Sequence, residues 1–206
     1  MTPTDADAEA TSTHAGSATP TRGGSWALLV AGIAGLAAAA ALTIERFELL
    51  VNPSYVPSCS INPILSCGSV MVTDQASVFG FPNPIIGIAA FSVVVTTGIL
   101  SVARVSLPRW YWVGLFVGAL LGLGFVGWLI SQSLYEIHAL CPYCMVVWTI
   151  IMPIVVIAAE RALHGIGGRA VQAVLSWRWI VAILYYAVVV VLIFLEFQDY
   201  WISLVS

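Results

Sequence analysis

The chain has 206 residues, of which 60% are hydrophobic and only 8% charged. A soluble domain carries about 25% charged residues, so an ordinary water-soluble globule is excluded. The formal net charge is -3 and all seven basic residues are arginines, which excludes the basic surface that nucleic acid requires.

Residues 1–24, rich in Thr, Ala, Ser and Gly, have no apolar periodicity and read as a disordered tail without a cleavable signal peptide. Five runs free of Asp, Glu, Lys and Arg follow, at 26–44, 83–103, 110–135, 137–159 and 179–195. About 20 apolar residues in a helix cross the hydrocarbon core, and a charge at mid-bilayer costs about 3 kcal/mol or more. Each run therefore predicts a spanning helix; the fifth is short and puts Glu196 at an interface. The division expected is a cytoplasmic tail over 1–24, a catalytic four-helix membrane unit over 25–165, and a fifth helix with a short outer C-terminus over 166–206.

The arginines orient the helices. Arg22 precedes the first run, Arg104 and Arg109 separate the second from the third, and Arg161, Arg169 and Arg178 lie between the fourth and the fifth. With the N-terminus inside, six of the seven arginines are cytoplasmic, as the positive-inside rule asks. Arg46, at the outer end of the first helix with Glu45 and Glu48 beside it, is the exception. The segments 47–82 and 136–144 and the C-terminus then face outward. Trp110, Tyr111, Trp112, Trp177 and Trp179 read as interfacial anchors, as do Tyr200 and Trp201 at the outer side.

All four cysteines lie in the two outward segments. An extracytoplasmic face is where disulfides form and persist. Cys141-Pro142-Tyr143-Cys144 opens the fourth helix, and Pro142 suits its first position. Both sulfurs then sit near the positive end of the helix dipole, which favours the thiolate. Cys59 and Cys67 bound a short loop, whose closure is worth only about 2–3 kcal/mol. One pair in a loop and one on a helix end suggest thiol–disulfide exchange between them, which moves two electrons without a metal. A static staple at the helix end is the structural alternative. A four-thiolate zinc site is the rival from another class, but the Cys-x7-Cys spacing departs from paired Cys-x-x-Cys knuckles. A channel or transporter is the third reading; the intramembrane charges, broken helices and repeats typical of transporters are missing.

A relay needs a terminal acceptor. Met145 follows Cys144, so no haem-attachment motif is present. Gly114, Gly118 and Gly122 read as a small-residue helix-packing stripe and not as a dinucleotide fingerprint. A lipid-soluble two-electron carrier, a membrane quinone, is left by elimination. His138 either raises the thiolate population at Cys141 or is simply solvated, and Asp74 reads as a solvated loop charge.

The order Cys59-x7-Cys67, Gly68-Ser69-Val70-Met71-Val72-Thr73, Ala76-Ser77-Val78-Phe79-Gly80-Phe81-Pro82, Asn83 opening the second helix and Cys141-Pro142-Tyr143-Cys144 opening the fourth resembles the vitamin K epoxide reductase family, more closely its bacterial branch. The resemblance runs over about 26–159. It implies an all-α membrane protein: a four-helix transmembrane bundle around a quinone, an extracytoplasmic half-helix capping loop between helices one and two, and a fifth transmembrane helix. It also implies that Cys59 exchanges with a partner's thiols, Cys67 passes electrons to Cys141, and Cys144 reduces the quinone. Asn83 corresponds to a donor to a quinone oxygen, with a plain helix cap as the alternative. Phe79 corresponds to an aromatic wall of the quinone pocket, and Thr73 to a hydroxyl beside the cysteines. Trp148 stands where vertebrate members carry a quinone-touching tyrosine. Bacterial relatives often continue into a thioredoxin-like domain; this sequence stops at Ser206, so a separate extracytoplasmic thioredoxin-like partner is expected. The activity implied is that of a quinone-dependent disulfide-generating oxidase in the bacterial inner membrane, using a menaquinone, ubiquinone or vitamin K type quinone and no metal. The alternative is a vitamin K epoxide or quinone reductase whose product is the quinol.

Overall fold

The computed structural model describes residues 21–62, 64–164, 166, 168–198 and 202. Six α-helices follow in order: α1 (Arg22–Val51), α2 (Cys67–Met71), α3 (Pro84–Val102), α4 (Arg109–Gln132), α5 (Pro142–Ala162) and α6 (Arg169–Glu196). All but α2 are long and apolar enough to cross a membrane, making five candidate spans among the described residues. The expected tail, 1–24, lies outside the described residues for all but its last positions. Those belong to α1, where the Thr21 hydroxyl accepts from the Gly24 N–H and caps the helix. Tyr200 and Trp201 also lie outside the described residues.

Helices α1, α3, α4 and α5 form the bundle, and the tightest pair is α1 with α3. Glycine makes that approach possible. A Cβ on Gly98 would lie 2.6 Å from the Leu29 Cα, one on Gly32 would lie 2.9 Å from the Val95 backbone nitrogen, and Gly35 lies under the Phe91 ring. Across the bundle, α5 packs on both α1 and α4, whereas α3 and α4 make few backbone contacts and are joined by the Thr97 and Tyr111 hydroxyls, 2.6 Å apart. The core runs through Leu28, Phe91, Trp112 and Ile154. Trp112 is thus a core residue and not the interfacial anchor expected of it: its helix face turns inward, while Trp110, Trp177 and Trp179 remain exposed.

The fifth span, α6, leans on the outside of α5. Pro153 lies inside α5 and leaves the Thr149 carbonyl without its usual N–H donor. The Tyr186 hydroxyl donates to that carbonyl at 2.6 Å, and Tyr185 donates to the Trp148 carbonyl at 3.0 Å. At one end of this pair Arg178 meets Glu160 at 2.8 Å. At the other, His138 approaches Glu196 at 3.4 Å.

The loop from α1 to α3 carries α2 and a 3-10 turn at Asp74–Ser77, and so forms a short helical cap over one end of the bundle. Opposite it, α4 ends in a π-helical turn, Ser133–Ile137, closed by His138 at φ 55. The left-handed residue turns the chain into the extended piece that leads to Cys141.

Candidate active site

One short β-type pairing brings the two cysteine segments together. Leu140 donates its N–H to the Ile64 carbonyl at 2.7 Å, and its own carbonyl accepts from the Ser66 N–H at 3.0 Å. Cys67 follows Ser66 and Cys141 follows Leu140, so this register puts the sulfurs side by side, with Cys67 Sγ 3.1 Å from Cys141 Sγ. Cys67 is disulfide-bonded to Cys59, while Cys141 and Cys144 are free thiols. Ser66 caps α2 through its hydroxyl, which accepts from the Ser69 N–H at 3.3 Å, and thereby fixes Cys67 in the first turn. Cys141 is the N-cap of α5, with Pro142 in the first turn as its spacing predicts.

Burial at the site is deep: Cys67 is 0% exposed, Cys141 1% and Cys59 6%. They form an apolar cluster with Leu42 and Met71. Cys144 donates a hydrogen bond to the Cys141 sulfur, and the backbone N–H groups of Cys144 and Tyr143 add to it. These donors outweigh burial and hold the Cys141 thiol below its usual range.

A second clamp acts on the Cys59 side. Glu45 of α1, 8% exposed, accepts from the Tyr55 hydroxyl at 2.9 Å and from both the backbone N–H and the hydroxyl of Ser58. Ser58 precedes Cys59, so a buried carboxylate holds the loop down over the disulfide. The Tyr55 hydroxyl, bonded to that carboxylate, is pushed above its usual pKa.

Beside the thiols lies a cavity of about 540 Å³ between α1, α3, α4 and α5, bordered by both Cys141 and Cys144. Its walls are mainly apolar, with a few polar groups (Thr73, Gln75, Asn83, Gln132 and Arg46) near the cysteine end. That is the usual make-up of a small-molecule pocket. Because α3 and α4 stand apart, the cavity opens sideways there, where Ile86, Val93 and Trp110 are wall and exposed surface at once.

The expected site residues fall as follows. Thr73 lines the cavity, its hydroxyl donating to the Val70 carbonyl at 2.8 Å. Trp148 lines it too and is buried. Asn83 lies in the wall, yet its side chain makes no helix-capping bond. Instead its amide donates to the Gln75 carbonyl at 2.7 Å and accepts from the Val78 N–H at 3.2 Å, tying the 3-10 turn to the start of α3. Phe79 requires a correction: it is 58% exposed and stands outside the cavity wall. It packs on Phe125 at a ring distance of 5.9 Å, and Phe125 supplies the aromatic wall. The glycine stripe needs another. A Cβ on Gly114 or Gly118 would meet nothing within 4 Å, and only Gly122 approaches a neighbour, the Ile151 side chain at 3.4 Å. These glycines hollow out the cavity wall instead of packing α4 on another helix. His138 reaches Glu196 and leaves Cys141 to its own thiol and backbone donors. Asp74 is exposed.

Gln75 and Gln132, which meet at 3.3 Å across the cavity mouth, and Arg46 escaped the sequence reading as site residues. A polar Gln132 inside an otherwise uncharged run, and an arginine against the charge pattern, were the signals available.

The fold and this site define a membrane-embedded redox protein that works through cysteines. Residues 26–159 match the sequence model of the Vitamin K epoxide reductase family, and the chain belongs to that family of oxidoreductases. No curated protein matches the chain.

Proposed function

We propose that the chain is a quinone-dependent thiol–disulfide oxidoreductase that oxidises a separate thioredoxin-like partner and passes the electrons to a membrane quinone. The observation that carries this reading is the 3.1 Å approach of Cys67 Sγ to Cys141 Sγ beside a cavity bordered by Cys144. In the proposed cycle a partner thiolate attacks Cys59 Sγ and Cys67 leaves as a thiolate. The partner's second thiolate then resolves the mixed disulfide, and both protein thiols are reduced. Cys67 next attacks Cys141 of a Cys141–Cys144 disulfide, expelling Cys144, and Cys59 resolves that link by attacking Cys67. The product is a Cys59–Cys67 disulfide with Cys141 and Cys144 as thiols, the pairing described above. A quinone in the cavity accepts the two electrons and two protons that the Cys141–Cys144 pair then releases. The cavity suits such a group: apolar walls accommodate a flat ring and lipid tail, the side opening faces the bilayer core, and Asn83, Thr73 and Trp148 stand in the wall near the thiols.

The arginines Arg22, Arg104, Arg109 and Arg161 lie at the ends of α1, α3, α4 and α5 opposite the cysteines. By the positive-inside rule this supports an orientation in which the cysteine end faces outward, in the bacterial inner membrane of this proposal. There disulfides must be made, and a quinone pool is a strong electron sink.

The test is stopped-flow with purified protein, reduced partner and quinone. Cys141→Ala and Cys144→Ala should abolish quinone reduction with the fold intact, and Cys67→Ala should trap the partner on Cys59. Near-normal quinone reduction in either of the first two variants overturns the relay; an adduct on Cys67, seen in Cys59→Ala and in no other variant, reverses its order.

A further inference from the structure

Arg46 breaks the arginine pattern of the chain, and neither the fold nor the cysteine relay uses it. On α1, Ala39, Leu42 and Arg46 all border the cavity, at the three- and four-residue spacings of a single helix face. Leu42 packs in the cluster of Cys67 and Cys141, and Arg46 stands one turn further along. Arg46 is half-buried, and its side chain borders the cavity. Its Nε is buried and has no hydrogen-bond partner. The neighbouring acids leave it uncompensated: Glu45 is engaged by Tyr55 and Ser58, and among the described residues Arg46 forms no ion pair. No Asp, Glu or His belongs to the cavity wall, so Arg46 is its one charged group among the described residues. An uncompensated cation in an apolar cavity is a strong site for an anion, because low polarity magnifies the attraction.

We propose that Arg46 binds the quinone oxygen that becomes negative as the Cys141–Cys144 pair is oxidised. This rests on the quinone reading above. In that step an Sγ–Sγ bond forms, two electrons and two protons leave the thiols, and the quinone takes up both electrons and both protons to become the quinol. No carboxylic acid or histidine lines the wall, so negative charge resides on the oxygen until the thiol protons reach it. Arginine stays protonated; it answers that charge by electrostatics and hydrogen bonding and does not act as a proton donor.

The test compares binding of two probes to the full-length protein in detergent, followed by tryptophan quenching. One is an alkyl-chain hydroxynaphthoquinone, whose hydroxyl is ionised at neutral pH; the other is its methyl counterpart, which stays neutral. Arg46→Gln should weaken the anionic probe about ten- to a hundredfold, the range of a lost charge-assisted hydrogen bond. It should leave the neutral probe within about twofold, and Arg46→Lys should recover most of the loss. Retained binding of the neutral probe certifies the fold of each variant. Equal weakening of both probes would reduce Arg46 to a shaping role, and unchanged binding of the anion would remove it from the oxygen; either result overturns the proposal alone. Failure of both probes to bind the wild-type protein would overturn the quinone reading and this inference together.

Discussion

At Cys141 three donors converge on one sulfur: the Cys144 thiol and two backbone N–H groups of the first turn. A thiol whose pKa is lowered keeps its thiolate at a pH where an ordinary cysteine is protonated, and loses it only as pH falls through the lowered value. The pH profile of Cys141 alkylation by iodoacetamide, followed by peptide mass spectrometry, should therefore inflect below the usual thiol value of about 8.5. Cys144→Ala removes the leading donor and should move the inflection upward. An inflection at the ordinary value in the wild-type protein would contradict the donor arrangement. Glu45 acts on the other pair. It holds Ser58, and with it Cys59, under a loop that the proposed partner would have to enter, since Cys59 is only 6% exposed. With Glu45→Ala the loop loses three donors' acceptor, and labelling of reduced Cys59 by a bulky maleimide should accelerate several-fold. The Leu140 pairing should keep Cys67 beside Cys141. Unchanged labelling would mean that the loop opens without breaking the Glu45 contacts.

Pro153 and Tyr186 set how the fifth span meets the bundle. Proline leaves the Thr149 carbonyl unpaired and the tyrosine of α6 supplies the missing donor. Tyr186→Phe should lower stability in detergent by about 1 kcal/mol, the scale of a hydrogen bond between membrane helices. In a Pro153→Ala background, where residue 153 regains an N–H, the same substitution should cost much less, and a melting-temperature double-mutant cycle measures the difference. Equal costs in the two backgrounds would show that Tyr186 does not complete the proline gap. The spans themselves were legible in the sequence because charge is so expensive in hydrocarbon that its absence marks each one. The meeting of Cys59, Cys67, Cys141 and Cys144 was legible through motif order. What escaped were relations between elements. Whether Phe79 or Phe125 lines the wall depends on which way the cap folds, and Trp112 turns inward by helix phase. Neither is encoded locally.

Across the whole molecule, small residues do two opposite things, and sequence spacing does not separate them. Gly32, Gly35 and Gly98 let α1 and α3 touch, whereas Gly114 and Gly118, at the four-residue spacing that usually marks packing, face the open space of the cavity. The bundle is thus closed on one side and hollow on the other, and the hollow side borders the thiols. This contrast yields a paired prediction. Gly118→Leu adds a side chain where nothing lies within 4 Å of the new Cβ, so the fold should tolerate it. Replacing a mid-helix glycine should even return up to about 1 kcal/mol of helix propensity. The side chain would project into the cavity, however, and a bound quinone would have to be displaced or compressed. Overfilling a packed space costs about 1–3 kcal/mol, so quinone affinity should fall about tenfold or more, with thiol exchange at Cys59–Cys67 unchanged. Gly98→Leu should do the reverse. Its Cβ would lie 2.6 Å from the Leu29 backbone, α1 and α3 would be forced apart, and the melting temperature should drop before any binding effect is measurable. Binding titrations and thermal melts on the two variants decide the matter. A Gly118→Leu protein that melts early, as Gly98→Leu should, would mean that the glycines of α4 pack against a helix and that the hollow beside Cys144 is not the acceptor's place.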